Sequence, residues 1–258
     1  MSDILNTSPL GVVRRFEAAG FRAWPATSVH YDGTWVIRIT EGHSAKRLNS
    51  VNPLDPGDSR DLPERIARAD AHFAQSGRQL VFRMSPLAGK ALASHLDSDG
   101  WDSYSESLVM MMPLTDASMA GAIDHIPLKD VGRFVKSVAQ VHDASNGRRD
   151  GLADIIAAIR PEAGLFALEP EDVPVATCIC VHDGDLAGLF EVATSAVARG
   201  KGNGRRIVLS ALKWARMRGA KVAWLQVEAA NEVAIKLYKS LGFTEAYRYH
   251  YRKPAGRP

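Results

Sequence analysis

Runs of apolar residues along the chain follow two periods, one typical of helices and one typical of strands. In the first half, apolar side chains recur at helical spacing over residues 11–19, 62–75 and 86–96. Extended apolar runs occupy residues 28–30, 34–40, 79–84 and 104–113. The turn Asp32-Gly33 separates the first two of these runs, which predicts a hairpin. Residues 52–61 hold two prolines, a glycine and three aspartates and are predicted to form a loop.

The second half repeats this alternation at closer intervals. It predicts helices over residues 129–142, 152–159, 205–217 and 231–241. It predicts strands over residues 164–168, 173–181, 186–194, 221–227 and 247–252. A polar break over residues 143–150 separates the first two helices. The order of elements favours an α/β fold with a mixed sheet.

The two halves meet in a stretch of small, weakly patterned residues. Because residues 117–126 show neither period, we place a domain boundary there, between residues 1–116 and 123–258. The halves also echo each other near their ends, since residues 96–101 with their following strand resemble residues 237–243 with theirs. This echo predicts a duplication whose two copies have diverged.

Composition and charge narrow the class of protein without identifying it. Hydrophobic residues make up 46% and charged residues 24% of the 258, the balance of an ordinary globular protein. The net charge of +3 is small and the basic residues are scattered, so nucleic acid is not an expected partner. With no basic leader and no apolar run of about 18 residues, we expect a soluble cytoplasmic protein without a membrane partner. Monomer and homodimer both remain open.

The two cysteines lie two residues apart in one apolar run. Side chains at positions i and i+2 of a strand point the same way, so Cys178 and Cys180 should not pair with each other. They have no suitably spaced histidine partner for a zinc site. We expect both to be buried packing residues.

The strongest local signal follows the predicted strand that ends at Thr194. Glycines alternate in the segment Arg199-Gly200-Lys201-Gly202-Asn203-Gly204, and a helical pattern starts directly after it. Such glycines let the backbone curl closely and expose successive N–H groups. Together with the helix dipole and the basic side chains of Arg199, Lys201, Arg205 and Arg206, they suit a pyrophosphate. A flexible basic surface loop is the alternative.

Two common phosphate-binding motifs do not fit this segment. The nucleotide-triphosphatase loop needs Ser or Thr after Gly-Lys, whereas Gly202 follows Lys201. The dinucleotide fingerprint needs two residues between its second and third glycines, whereas only Asn203 separates Gly202 from Gly204. Neither class of nucleotide site is expected.

The arrangement Arg199-x-x-Gly202-x-Gly204 resembles the acetyl-CoA signature of the GNAT N-acetyltransferases. A second block resembles the other half of that pattern: Asn231-x-x-Ala234-x-x-Leu237-Tyr238-x-x-x-Gly242-Phe243, preceded by the strand over residues 224–227. The resemblance covers roughly residues 123–254. It implies an acyl-CoA N-acyltransferase fold, with acetyl-CoA as co-substrate and no metal. It further implies transfer of the acetyl group to a primary amine of a small molecule or peptide, by direct attack in a ternary complex.

The resemblance also implies roles for particular residues. The strand residues Val192, Ala193 and Thr194 would bind the pantetheine arm through their backbone, and an N–H near Val192 would polarise the thioester carbonyl. The loop from Arg199 to Arg205 would hold the pyrophosphate. Asn231 would bind the arm or its neighbouring backbone, although it also suits the N-cap of its helix.

The catalytic groups are less firmly indicated. The resemblance places the Tyr238 hydroxyl near the sulfur, as the acid that protonates the departing thiolate, with a core aromatic as the alternative. Glu191 and Glu228 are candidates for the base, although either could be an edge residue and an ordered water could serve instead. His250 is better explained as a strand residue than as a base.

The first half has no glycine-rich loop. We therefore expect it to be a degenerate copy of the same fold, without an acetyl-CoA site of its own. This copy would pack against the second half or shape the acceptor cleft. Its polar stretch over residues 47–51 could line a site, but we expect a surface turn.

Two other functions remain open for the chain. A sensor that binds acyl-CoA without turning it over could use the same loop. A nucleic-acid-binding protein fits poorly, because no aromatic residues interleave the basic ones.

Overall fold

The structure is a computed structural model that describes residues 9–142 and 151–256. Its α-helices are α1 (Pro9–Ala23), α2 (Leu62–Gln75), α3 (Lys90–Ser98), α4 (Val131–Val141), α5 (Leu152–Ala158), α6 (Asn203–Met217) and α7 (Glu232–Leu241). Its strands are β1 (Ser28–Asp32), β2 (Trp35–Ile39), β3 (Ser50–Pro53), β4 (Phe82–Met84), β5 (Trp101–Pro113), β6 (Glu162–Leu168), β7 (Ala176–Asp183), β8 (Leu186–Thr194), β9 (Val222–Glu228) and β10 (Thr244–Pro254). The expected mixed α/β order is confirmed. The polar break over residues 143–150 lies outside the described residues.

All ten strands belong to one sheet, in the order β1-β2-β3-β4-β10-β5-β9-β8-β7-β6. Counted inward from either edge of the sheet, the first four strand pairs have the same orientations: antiparallel, antiparallel, parallel and antiparallel. The parallel pairs are β3 with β4 and β8 with β9. The order is therefore symmetric about the central antiparallel pair, β5 with β10.

The central pair joins the two halves of the chain. Strand β5, from the first half, lies between β9 and β10, and β10, the last strand, lies between β4 and β5. Each half thus contributes one strand to the other side of the sheet. Because these strands hydrogen-bond along most of their length, the backbone of the sheet is continuous across the boundary that we placed at residues 117–126.

Helices cover both faces of the sheet. On one face, α1, α4 and α5 pack on a cluster that includes Phe16, Phe134, Phe190 and Trp224. On the other face, α2 and α3 cover the strands β2 to β4, and α6 and α7 cover the strands β5 and β7 to β9. The methionine run of β5 contributes Met110 and Met112 to this second core.

Cys178 and Cys180 are buried and free, as expected. Burial raises the pKa of both thiols. None of the helices in the described ranges is long and apolar enough to cross a membrane.

The largest error of the sequence analysis concerns residues 47–53. The expected surface turn over residues 47–51 is wrong, and so is the start of the expected loop at residue 52. A short 3-10 turn ends at Leu48 and leads into the buried strand β3. Two of the four residues of β3 are polar, Ser50 and Asn52, and therefore gave no apolar signal. The Nδ2 of Asn52 donates to the carbonyl oxygens of Val36 and Ser50, at 3.2 and 2.8 Å, whereas its buried Oδ1 accepts no hydrogen bond from the described residues.

Candidate active site

The strands β8 and β9 separate partway along their length. Their parallel ladder runs from the pair Leu186–Val222 to the pair Leu189–Leu225. Both strands continue beyond it, to Thr194 and Glu228, while pairing with their outer neighbours. A wedge therefore opens in the middle of the sheet, with backbone groups of both strands along its sides.

A bulge in β8 lies on the side of this wedge. Between the pairs Thr177–Ala193 and Ile179–Phe190, β8 uses one residue more than β7. Glu191 has a φ of +47°, the left-handed conformation that L residues rarely adopt. The hydroxyl of Thr177 donates to the carbonyl oxygen of Glu191 at 3.2 Å. The bulge turns the following backbone, at Val192, out of the regular ladder.

The glycine-rich loop leads into α6 two residues earlier than the sequence pattern predicted. Gly202, with a φ of +77°, is the N-cap residue. The first helical hydrogen bond runs from the N–H of Arg206 to the carbonyl oxygen of Gly202, at 3.0 Å. The N–H groups of Asn203, Gly204 and Arg205 come before this first bonded donor and therefore have no intrahelical acceptor. They form the positive end of the helix dipole.

Three elements meet at this helix start. A methyl group on Gly204 would lie 3.3 Å from the Thr194 Oγ1 atom and 3.3 Å from the Leu237 Cδ2 atom. The end of β8, the start of α6 and the middle of α7 are thus close neighbours. The glycine at position 204 permits this approach, since any side chain would press on β8 and α7.

The predicted phosphate-binding residues have different surroundings. Asn203 is buried, and its Nδ2 donates to the carbonyl oxygen of Ala198 at 3.1 Å, so its side chain holds the loop. The Arg205 guanidinium donates to the Ser240 carbonyl oxygen at 3.4 Å. Arg199, Lys201 and Arg206 are exposed, and none of them forms an ion pair within residues 9–142 and 151–256. Their positive charge is available to an anion at the helix start.

Tyr238 lies on α7, which contacts this same site through Leu237. Its ring packs edge to face against Phe243, with the ring centroids 5.8 Å apart. Burial, followed by the nearby Cys178 thiol, raises the pKa of the Tyr238 hydroxyl above its usual value of 10.0. The hydroxyl makes no hydrogen bond to the part of the chain that the structure describes. It is therefore a neutral donor that a ligand could engage.

Asn231 is the N-cap of α7, as predicted. Its Oδ1 atom accepts a hydrogen bond from the N–H of Ala234 at 3.1 Å. The side chain is exposed, so the same residue remains available for contact with a ligand.

The two candidate bases lie on the strands that form the wedge. Glu191 is half-buried at the bulge. Glu228 ends β9 and is exposed, and its Oε1 lies 3.9 Å from the Lys46 Nζ. Lys46 comes from the first half of the chain, which thus reaches the wedge. His250 pairs with Met84 in the sheet, and burial, helped by Arg252, lowers the pKa of its imidazole.

No metal centre is found in the residues that the structure describes. No three His, Cys, Asp or Glu side chains among them converge in a way that could hold an ion.

Comparison with known proteins identifies the family. A model of the family described as "Probable histone acetyltransferase Rv0428c C-terminal" matches residues 11–252. A Bacillus subtilis (strain 168) protein named "Uncharacterized N-acetyltransferase YobR" is 27% identical over 249 residues, or 93% of this chain and 98% of that protein. The chain belongs to this acetyltransferase family, and it is an acyltransferase enzyme of the GNAT type.

Two solved structures share the fold. A GCN5-related N-acetyltransferase from Kribbella flavida has a TM-score of 0.71 at 18% identity, covering 95% of this chain and 96% of its own. A tandem GNAT protein from the clavulanic acid biosynthesis pathway has a TM-score of 0.63 at 12% identity, covering 94% of this chain and 88% of its own. Both span nearly the whole chain, so the likeness includes the first half.

A second group of candidate functional residues was not predicted from the sequence. A cavity under α1 is lined by Glu17, Arg38, Arg47, Asn52, Arg83 and Gln226, together with apolar residues. A signal was present, because Arg38 and Arg83 each interrupt a short run of strand-forming apolar residues.

Proposed function

We propose that the chain transfers the acetyl group of acetyl-CoA to a primary amine, by direct attack of the amine within a ternary complex. The observation that carries this proposal is the meeting of the end of β8, just after its bulge, with the start of α6 and the middle of α7. The free N–H groups at the start of α6 suit the pyrophosphate of the coenzyme. The open side of β8 suits its pantetheine arm, which would pair with the backbone at Val192, Ala193 and Thr194.

In the proposed step, the nitrogen lone pair of the amine attacks the thioester carbonyl carbon. The carbon–nitrogen bond forms and the carbon–sulfur bond breaks, so the electron pair leaves with sulfur. The Tyr238 hydroxyl donates a proton to that thiolate. The amine loses a proton to Glu191, to Glu228 or to a water held by one of them, and an amide and a free thiol result.

The surroundings of the nucleophilic side chains support direct attack. A covalent acetyl-enzyme would need an accessible nucleophile near the wedge, and thiolates are the best of these. Cys178 and Cys180 are both enclosed in the core, with raised thiol pKa values. Neither can serve as a relay for the acetyl group.

The symmetric sheet supports a further part of the proposal, that residues 1–116 and 123–258 are two copies of one fold. The inner parallel pair β3–β4 corresponds to β8–β9, and β10 corresponds to β5. In the first copy, β3 leads into residues 54–61, which lack alternating glycines. We therefore place the one acetyl-CoA site in the second copy.

The test is release of free thiol from acetyl-CoA in the presence of a panel of amines. We expect release that depends on the amine, with one N-acetylated product formed for each thiol. Binding of acetyl-CoA without thiol release for any amine would instead indicate the sensor function. If acetyl-CoA does not bind at all, both the transferase function and the sensor function are contradicted.

A further inference from the structure

The cavity under α1 contains an unusual set of buried polar residues. On the strands β2, β3 and β4, the side chains that face α2 and α3 are apolar, including Ile37, Val51 and Phe82. The alternate positions face α1, and there Arg38, Asn52 and Arg83 are each at most 4% exposed. This part of the interior is a polar chamber rather than a core.

One carboxylate lies in the chamber, and its bonds are already made. Glu17 of α1 accepts from the Arg83 Nη1 through one oxygen and from the Tyr247 hydroxyl, at 2.6 Å, through the other. The Arg83 guanidinium also lies over the Tyr249 ring, 3.7 Å from its centroid. Glu17 can therefore compensate one buried cation and not two.

Arg38 is the second buried cation, and no carboxylate hydrogen-bonds to it in the described residues. Its guanidinium donates to the carbonyl oxygens of Trp24 and Arg47, which are neutral acceptors. Burial, followed by the nearby Arg83, lowers the pKa of Arg38 to about 9. Burial disfavours the charged guanidinium, and the carboxylate of Glu17 offsets this effect only in part.

Several donors in the chamber have no partner. The Nε and Nη2 atoms of Arg83 and the Nε1 of Trp24 are enclosed and make no hydrogen bond within residues 9–142 and 151–256. At the rim, the half-buried Arg47 lies over the rings of Trp24 and Phe190, 5.8 and 5.7 Å from their centroids. Buried donors without acceptors are costly, so these groups favour a ligand that brings hydrogen-bond acceptors, and the two buried guanidinium groups favour a negatively charged one.

The chamber lies next to the wedge. Phe190, which lines it, directly precedes the bulge residue Glu191, and Gln226 is the first residue of β9 beyond the parallel ladder. Both lie on the α1 side of the sheet, whereas Tyr238 packs on the opposite side, with α6. A ligand in the chamber would therefore reach the wedge from the face opposite to the proposed coenzyme site.

We propose that this chamber binds the carboxylate of the acceptor, so that the acceptor is an amine that also carries a carboxylate group. Arg83 and Arg38 would hold the carboxylate, and Arg47 would attract it at the rim. The excess of one buried positive charge matches one carboxylate. The enclosed cavity is small, about 10 Å³, which is room for one small polar group, so only the carboxylate end of an acceptor would enter it. This inference rests on the proposed function.

The test uses matched pairs of amines in the thiol-release assay with the full chain. Amino acids are compared with their amides, and phosphoethanolamine with ethanolamine. We expect the carboxylate member of at least one pair to have a kcat/KM more than tenfold above that of its amide. Equal values within every pair would overturn the proposal. Higher values for the phosphorylated amine would overturn it in favour of a phosphate site.

Two variants connect any such preference to the chamber. Arg47→Gln removes the rim charge, and we expect it to raise KM tenfold for the carboxylate substrate and to leave the amide unchanged. Arg14→Gln, on the exposed side of α1, is the matched control and should change neither. Equal effects of Arg47→Gln on acid and amide would count against the chamber.

A binding measurement separates this inference from the proposed function. Calorimetric titration of an N-acetyl amino acid against its amide, without acetyl-CoA, should show binding of the acid alone for the preferred side chain. If no amine releases thiol but the acid still binds, the proposed function fails and the anion site stands. If amines are acetylated and acid and amide bind equally, the anion site fails alone.

Discussion

The hydroxyl of Thr177 donates a hydrogen bond to the carbonyl oxygen of Glu191, 3.2 Å away, across the bulge of β8. Thr177 is fully buried, and Glu191 has the left-handed φ of +47°. A residue in this conformation persists only where its surroundings fix it. Thr177 therefore holds the backbone that would bind the acetyl group.

Thr177→Val should remove this hydrogen bond with little change of shape. Loss of one buried hydrogen bond lowers the free energy of unfolding by about 1 kcal/mol, and the freed bulge should lower kcat/KM for acetyl transfer. Thr177→Ser is the control, since it loses a methyl group at similar cost but keeps the hydroxyl. Chemical denaturation and steady-state kinetics give both quantities. Equal activity of the two variants would show that the bulge does not need Thr177.

Gly202→Ala tests the loop at the start of α6. Gly202 has a φ of +77° and open space around it, so the methyl group strains the backbone without a clash. We expect acetyl-CoA to bind at least tenfold more weakly, because the N–H groups no longer face the pyrophosphate. Gly219→Ala, at a φ of +101° and also in open space, carries similar strain at the other end of the helix. If calorimetry shows equal affinities for the two variants, the loop does not hold the coenzyme.

Gly204→Val is a less direct test of the same loop. Its side chain would press on Thr194 and Leu237, so weaker binding could follow from a displaced β8 as well as from a blocked backbone. A change at Gly202 avoids this ambiguity.

Tyr238→Phe should lower kcat and leave the affinity for acetyl-CoA nearly constant. The ring and its packing against Phe243 are kept, while the proton donor is lost, and general acid catalysis is worth about a hundredfold or more. A thiolate is a good leaving group, so we expect the lower end of that range. Kinetics at a saturating acceptor, with a separate binding titration, measure the effect. If Tyr238→Phe turns over as fast as the wild-type protein, Tyr238 contributes only to packing.

The pH dependence provides a second measurement on the same residue. Burial raises the pKa of Tyr238 above its usual value of 10.0, so the hydroxyl keeps its proton when exposed tyrosines lose theirs. We therefore expect that ionisation of Tyr238 does not lower the kcat of the wild-type protein at any pH up to 10. A fall in kcat below that pH, absent from Tyr238→Phe, would mean that the hydroxyl ionises more readily than its burial indicates.

Asn231→Ala should destabilise the fold through the cap of α7. Loss of an N-cap side chain costs about 1 kcal/mol of unfolding free energy. Asn231→Ser keeps an acceptor for the N–H of Ala234 and should restore most of that stability. Thermal or chemical unfolding of the two variants checks the cap, and equal destabilisation would show that the cap contributes little.

The sequence predicted the elements around the wedge well, because their signals are local. The alternating glycines before α6, the cap at Asn231 and the apolar runs of β8 and β9 each depend on neighbouring residues. The bulge at Glu191 left no such signal, since it arises from the register between β8 and β7. The placement of β5 and β10, each beside strands of the other half, also depends on long-range pairing. In the sequence, only the resemblance of residues 96–101 to residues 237–243 pointed to it.

The polar chamber was missed for a different physical reason. Arg38 and Arg83 occupy strand positions whose neighbours are apolar, and strands with one polar face usually turn that face to solvent. Here α1 covers it. Glu17 lies on the buried side of that helix, where an acid is rarely found. Only the packing of α1 on the sheet shows that the three charges share one interior site.

Intact-mass spectrometry of the native protein with acetyl-CoA tests the central claim most directly. We predict one acetyl-CoA bound per chain, no acetyl group attached to the protein, and transfer of the acetyl group to an acceptor amine only when that amine is added. Two bound molecules per chain would place a working site in the first half as well. A covalently acetylated protein that passes its acetyl group to the amine would contradict direct attack.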